Sequence, residues 1–261
     1  MHLRLSQSQL TLLDYCPRKF QHVHLDQLVL PMTPEQRSHL EWGNQFHLLM
    51  QQQSLGLPMP PADETLRPIH ACVTMFRASV PHLFLSTPER TQDSEHRRML
   101  TLQDYLLTVV YDALILEPER AEILDWKTYA KPQNPRGLEA SWQTRLYLFV
   151  LAETSAYTLD QLAMTYWFIP PHLTDTPPPH ITIRYSPAQH QATYHDISRL
   201  LAQLTQWLEG YQAGHPFPQV PSHSPHCSTC PFAIRCQRTP PDSERDRPSI
   251  PAVESIAEVA L

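Results

Sequence analysis

Two apolar runs set the tightest constraint on this chain. Residues 105–116 read Tyr-Leu-Leu-Thr-Val-Val-Tyr-Asp-Ala-Leu-Ile-Leu, and residues 122–127 read Glu-Ile-Leu-Asp-Trp-Lys, with Glu117-Pro118-Glu119-Arg120 as the turn between them. β-Branched and aromatic side chains bounded by turn residues predict strands, and so short a link makes the two antiparallel neighbours. Both strands carry charge in apolar surroundings: Asp112 in the first, Asp125 and Lys127 in the second. Residues two apart share a face, so Asp125 and Lys127 point to one side and Trp126 to the other. Charges so placed are costly unless paired or bound to metal, which makes this hairpin the first candidate for a site. Taken singly, each group is also explained by an exposed strand end or a surface ion pair.

Around the hairpin the spacing predicts helices over residues 6–21 (Leu10, Leu13, Phe20), 35–53 (Leu40, Phe46, Leu49, Met50), 68–79, 138–156 (Trp142, Leu146, Phe149, Val150) and 190–212 (Ile197, Leu200, Leu201, Leu204, Trp207, Leu208). Further strands are predicted over residues 83–85, 97–102, 163–169 and, at an edge, 180–185. Helices interleaved with strands predict an α/β fold with helices packed beside a sheet. The 27 prolines against 5 glycines punctuate loops, notably at residues 58–61, 170–171, 177–179 and 240–241. Residues 1–238 read as a single domain, and residues 239–261, without an apolar period, as a disordered tail.

The net charge of −6 argues against binding polyanions through bulk charge. It leaves room for a local basic rim from Arg18, Lys19, Arg97, Arg98, Lys127, Lys131, Arg136 and Arg145. The longest apolar stretch, residues 146–152, falls well short of the roughly 18–20 residues that span a bilayer, so no membrane partner is expected. The start lacks the charged-then-apolar layout of a secretory signal. A cytoplasmic location follows as the expectation, and there a cysteine cluster holds metal more often than disulfides.

Two more pairs bear on the hairpin. Gly43 and His47 stand four apart on one predicted helix, where the glycine would let another backbone approach on the histidine's face. Gln143 and Tyr147 stand one turn apart on the helix that follows Asp125. The order Gly-x-x-x-His, Asp, Asp-x-Lys, Gln-x-x-x-Tyr resembles the RecB-type nucleases of the PD-(D/E)xK superfamily, over roughly residues 5–238. Within that branch the chain looks most like stand-alone iron-sulfur nucleases, such as the CRISPR-adaptation family and the nuclease domains of AddAB.

The resemblance implies a restriction-endonuclease-like core with a central mixed sheet flanked by helices. It implies Mg2+ or Mn2+ held by His47, Asp112, Asp125 and the Trp126 carbonyl, with Lys127 orienting or helping to deprotonate the attacking water. Gln143 and Tyr147 would position the substrate strand. Oxygen ligands suit hard divalent cations, which acidify bound water and offset charge on phosphoryl oxygens. One departure is Val109-Val110-Tyr111 before Asp112, where relatives often carry a glycine.

Cys227, Cys230 and Cys236 form C-x2-C-x5-C, a compact thiolate set one ligand short of four. Spacing alone leaves zinc and an iron-sulfur cluster open. Under the resemblance Cys16 is the fourth ligand and the group a 4Fe-4S cluster, which would join the N- and C-terminal segments. His223 and His226 are spare donors beside it, and Cys72 reads as a core thiol.

The function expected is metal-dependent hydrolysis of DNA, as an exonuclease or end- and flap-processing enzyme on single strands. No Gly-x4-Gly-Lys-[Ser/Thr] loop is present in the sequence, so unwinding would fall to a partner helicase; a CRISPR-adaptation protein is the other partner expected. The alternative is a DNA-binding or assembly module that keeps the fold without turnover.

Overall fold

The computed structural model describes residues 3–28, 32–61, 63–64, 66–85, 87–132, 134–171, 177–222 and 224–238. The predicted tail, residues 239–261, and His223 lie outside the described residues.

A six-stranded mixed sheet carries the fold. Its strands are β1 (Leu3–Leu5), β2 (Thr91–Leu102), β3 (Tyr105–Glu117), β4 (Arg120–Lys127), β5 (Leu162–Phe168) and β6 (His180–Arg184). β2 pairs antiparallel along one edge of β3. The other edge of β3 is shared: β1 lies parallel to residues 105–107, and β4 antiparallel to residues 113–117. β4 then runs parallel to β5, which pairs antiparallel with β6. β3 and β4 therefore part company after the Ala113–Leu124 pair, and residues 108–112 have no strand partner on that edge.

Helices cover both faces. Against one lie α1 (Gln7–Tyr15), α6 (Trp142–Glu153) and α7 (Pro187–Gln212), with α2 (Pro17–Phe20) following α1 and α5 (Arg136–Glu139) preceding α6. Leu10, Leu13, Leu146, Phe149, Ile197 and Leu201 form that core with Val109, Tyr111 and Ile123 of the sheet. The opposite face is covered by α3 (Pro34–Ser54) and α4 (Arg67–Ser79), where Phe46, Leu49, Val73 and Phe76 meet Ile115, Leu124 and Trp126. Cys72 is buried there as a core thiol, and burial pushes its pKa up to about 11. No helix among the described residues is long and apolar enough to cross a membrane.

Several expectations are corrected. The helix predicted over residues 6–21 breaks at Cys16 (φ −162°, ψ 102°), because Pro17 excludes the residue before it from the helical region. The chain resumes in α2 and a π-helical turn, Gln21–Leu25. Residues 83–85 form no strand: Pro81–Phe84 is a 3-10 turn whose neighbouring carbonyls, those of His82, Leu83 and Leu85, are taken by the Arg90 guanidinium. Leu40 lies round α3 from the Phe46, Leu49, Met50 stripe and is 49% exposed. β2 starts at Thr91 rather than 97, and β1 is too short to leave a periodic signal.

The N-terminal helices pack against the segment that follows α7. Phe217 is buried against Phe20, its N–H donates to Gln21 Oε1 (2.8 Å), and its carbonyl accepts from Arg18 Nε (2.6 Å). Asp26 accepts from Tyr211 Oη at 2.8 Å.

Candidate active site

The gap between β3 and β4 is where the charged groups gather. In register terms Glu95 of β2 and Asp112 of β3 face one another between the Ser94–Ala113 and His96–Tyr111 pairs, yet they do not pair. Glu95 holds φ at +51°, a conformation in which a non-glycine residue is strained. The distortion also changes the facing of β3. Val109 and Tyr111 pack under α6, whereas Ala113 and Ile115 pack under α3 and α4, so strict alternation fails at Asp112.

Asp112 bridges the fork. Its Oδ2 accepts from the Trp126 N–H at 2.7 Å, replacing the ladder bond that β3 and β4 no longer make. Its Oδ1 lies 3.3 Å from Nδ1 of His47 on α3. Ligand atoms of His47, Glu95 and Asp112 all fall within 4.8 Å of one another. Two carboxylates directly opposite one another repel, and a cation between them removes that cost. One imidazole and two carboxylates make a donor set suited to a divalent ion such as Mg2+ or Mn2+.

Asp125 and Lys127 sit on the other branch of the fork, on the same face as expected, with the Trp126 side chain buried on the opposite one. Lys127 Nζ is 2.6 Å from Asp125 Oδ1 and donates to Gln143 Oε1 at 2.8 Å, while Gln143 Nε2 donates to Asp125 Oδ2 at 2.6 Å. These three side chains close a ring. Gln143 reaches it because Ser141 caps α6, accepting from the Thr144 N–H, and so fixes where the first turn begins. Tyr147, one turn on, is buried behind Gln143. Burial and the charges of Asp125 and Asp112 raise its pKa, while its bond with Gln143 lowers it.

Electrostatics join the two halves. Burial, then the charge of Asp112, pushes the Asp125 carboxyl up to about 6 against the opposing pull of Lys127 and His47. Burial lowers His47, but its hydrogen bond to Asp112 and the charges of Asp112, Asp125 and Glu95 outweigh that and leave its pKa raised. Glu95 is raised by its own burial and by Asp112.

Gly43 has the role of admitting a neighbour, although the neighbour is a side chain rather than a backbone. A Cβ there would meet Thr128 Oγ1 at 3.3 Å, just past β4. Among the basic residues expected at a rim, Arg98 is spent on Thr154 and Arg145 on Asp196. Glu95 was not anticipated by sequence reasoning.

Cys16, Cys227, Cys230 and Cys236 line one narrow pocket with Tyr15, Arg18, Lys19 and His226. No three of their sulfurs lie within 4.8 Å of one another.

Comparison with known proteins agrees with the geometry. The family model of the PD-(D/E)XK nuclease superfamily matches residues 4–237. No curated protein matches the sequence. Among solved structures, one described as "Putative exonuclease" from Eubacterium rectale aligns with a TM-score of 0.55 at 10% identity, covering 89% of this chain and 87% of that one, a likeness of fold. SSO0001 aligns at TM-score 0.40 and 11% identity over 90% of this chain and 86% of the other, too distant to carry an argument. A match that runs through all six strands and takes in both branches of the fork makes the chain a member of the PD-(D/E)XK nuclease superfamily.

Proposed function

We propose that this protein is a divalent-metal-dependent deoxyribonuclease of the RecB-like branch, acting as an exonuclease or an end- and flap-processing enzyme on single-stranded DNA. The observation that carries the reading is the fork itself, which sets His47, Glu95 and Asp112 beside the Asp125, Lys127, Gln143 ring. His47, Asp112, Asp125 and the Trp126 carbonyl would hold Mg2+ or Mn2+, and Glu95 is added to that set. The bound ion would acidify a water and offset charge building on the phosphoryl oxygens.

The chain's own groups divide the remaining work. Lys127, anchored between Asp125 and Gln143, would orient the attacking water and steady its proton. Gln143 would position the substrate strand from the same ring, with Tyr147 holding it from behind. The Trp126 N–H keeps Asp112 aimed across the gap.

We further propose that Cys16, Cys227, Cys230 and Cys236 hold a 4Fe-4S cluster in a structural role. Four thiolates around one tetrahedral zinc would sit about 3.8 Å apart at a Zn–S bond of about 2.3 Å. What supports a shared group is that all four thiols line one pocket, and zinc is the alternative occupant. DNA with free ends is the partner proposed, together with a helicase or CRISPR-adaptation protein to supply it.

Cleavage of end-labelled single strands in Mn2+ by wild type and Asp125→Ala tests the enzyme reading. The expected result is wild-type cleavage, loss of at least about a hundredfold in the variant, and DNA binding kept by both. Folded, metal-replete wild type that binds DNA without cutting it would favour the non-catalytic module instead.

A further inference from the structure

A second polar pocket opens beside the fork, lined by Gln53, Ser54, Arg77, Phe84, Leu85, Arg90 and Gln92. Its two arginines are not alike. Arg90 is consumed by structure: its guanidinium bonds the carbonyls of His82, Leu83 and Leu85, and its Nε faces Glu117 at 3.4 Å. Arg77 stacks its guanidinium over the Phe84 ring, 4.1 Å from the centroid. Among the described residues it has neither a hydrogen bond nor a carboxylate partner, and its Nη1 is shut off from solvent. A guanidinium nitrogen shut off from water with no acceptor is unusual in a native fold, where buried polar groups are almost always satisfied.

Position says what would satisfy it. Ser54 lies two helical turns beyond His47 on the same face of α3, about 10 Å away. Gln92 lies three residues from Glu95 on β2, again about 10 Å. Ser54 Oγ and Ser94 Oγ are 2.6 Å apart, so α3 and β2 stay in contact between pocket and fork. A strand of nucleic acid whose scissile phosphate sat at the fork would bring another of its phosphates here within two or three nucleotides, at a rise of about 3.4 Å each.

We propose that this pocket binds a phosphate group of the nucleic-acid substrate through Arg77, with Gln92 and the second amide hydrogen of Gln53, whose first is given to the Leu57 carbonyl, as the surrounding donors. The planar guanidinium suits an anion with several acceptor oxygens, and the amides suit the oxygens left over. The phosphate is either a terminal monoester or an internal diester, and the pocket chemistry is the same for both. The proposal rests on the nuclease reading only for the choice of ligand.

The test is equilibrium binding in EDTA, kept separate from cleavage. Fluorescent single strands bearing 5′-phosphate, 5′-hydroxyl, 3′-phosphate or 3′-hydroxyl ends, and a circular strand, are titrated with wild type, Arg77→Ala and Gln92→Glu. Melting temperatures confirm that the variants are folded; Gln92→Glu keeps Arg77 and turns a neutral lining group into a repelling one. A loss of about tenfold confined to one phosphorylated end assigns a monoester subsite, the size being that of one charge-assisted hydrogen bond. The same loss on every strand, the circle included, assigns an internal diester. Affinities equal to wild type on all strands, in both folded variants, would overturn the pocket. Wild-type cleavage in Mn2+, measured in parallel, stands or falls without reference to that outcome.

Discussion

Glu95 is held in a left-handed conformation directly across from another carboxylate, which combines two local costs at one position. Backbone strain of this kind costs on the order of 1–3 kcal/mol and persists where the surroundings impose it. Glu95→Gln keeps the side chain's shape and removes its charge. The variant should bind Mn2+ about tenfold more weakly, as expected for loss of a charged ligand, and its metal-free form should melt at a higher temperature than wild type. Unchanged affinity by calorimetry would remove Glu95 from the ligand set. Protons should compete for the same site, since ligation needs neutral imidazole and ionised carboxylates. Burial and the charge of Asp112 push the Asp125 carboxyl up, and the facing carboxylates raise His47, so lowering the pH fills both with protons. Mn2+ affinity should therefore fall below about pH 7, by roughly tenfold per pH unit for each proton displaced. The linkage to folding has the same sign: a raised carboxyl stabilises the metal-free fold below its unfolded pKa and loses that contribution as pH rises through 6. The rise in melting temperature on adding Mn2+ should be larger at pH 8 than at pH 5, and an equal rise at both would contradict the burial of Asp125. At this scale Asp112, Asp125 and Lys127 drew attention because each interrupts an apolar period, whereas His47 and Gln143 stood out only through the order of motifs that resembles the RecB-type nucleases, since their helical spacing alone is commonplace. Glu95 did not, since it lies in a polar run, Thr-Gln-Asp-Ser-Glu-His, with no period to interrupt. Its mark is a backbone angle.

Elements were legible wherever one period ran long enough. The cores of α3, α6 and α7 and the length of β3 follow from apolar spacing, and β5 from a continuous apolar run that the structure buries on both faces; the single helix predicted over residues 138–156 is instead α5 and α6, split at Ala140 and Ser141, and α7 begins at Pro187 rather than 190. The failures share a cause: local chemistry overrode the pattern. Pro17 broke a helix whose stripe was intact, and Arg90 took the carbonyls of an apolar segment that would otherwise read as strand. The parting of β3 and β4 was hidden for a different reason. Both strands stay extended through the fork; along that edge β3 exchanges β4 for β1, while β4 keeps β5 on its other edge from end to end. A hairpin pattern specifies that two strands meet, not where they separate. The chemistry depends on the separation, because paired strands would leave no gap for the Trp126 N–H, Asp112 and His47 to meet in.

Across the whole molecule the N-terminal helices meet the segment after α7 at two places, one packed and one lined by cysteines. One is packing: Phe217 between Phe20 and the α7 residues Trp207 and Tyr211, backed by Gln21 and Arg18. The other is the cysteine pocket, which the proposed cluster would fasten and where Arg18 lies near enough to act on the Cys236 thiol. Bridging Cys16 to Cys236 closes about 220 residues of chain, and closure of so long a loop restricts the unfolded state far more than the folded one. By analogy with a covalent cross-link the gain is on the order of 4–5 kcal/mol, an upper figure because the packing contacts already favour the closed arrangement. Cys16→Ser should then lose iron, lose visible absorption and melt several degrees lower, while the Phe217 contacts keep the domain folded. Cys72→Ser is the control that separates the two effects. It disturbs a buried thiol in the α3–α4 core and should lower the melting temperature without touching the spectrum. Full iron content and an unaltered spectrum in Cys16→Ser would show that the long loop is not closed through metal and that packing at Phe217 holds the ends by itself.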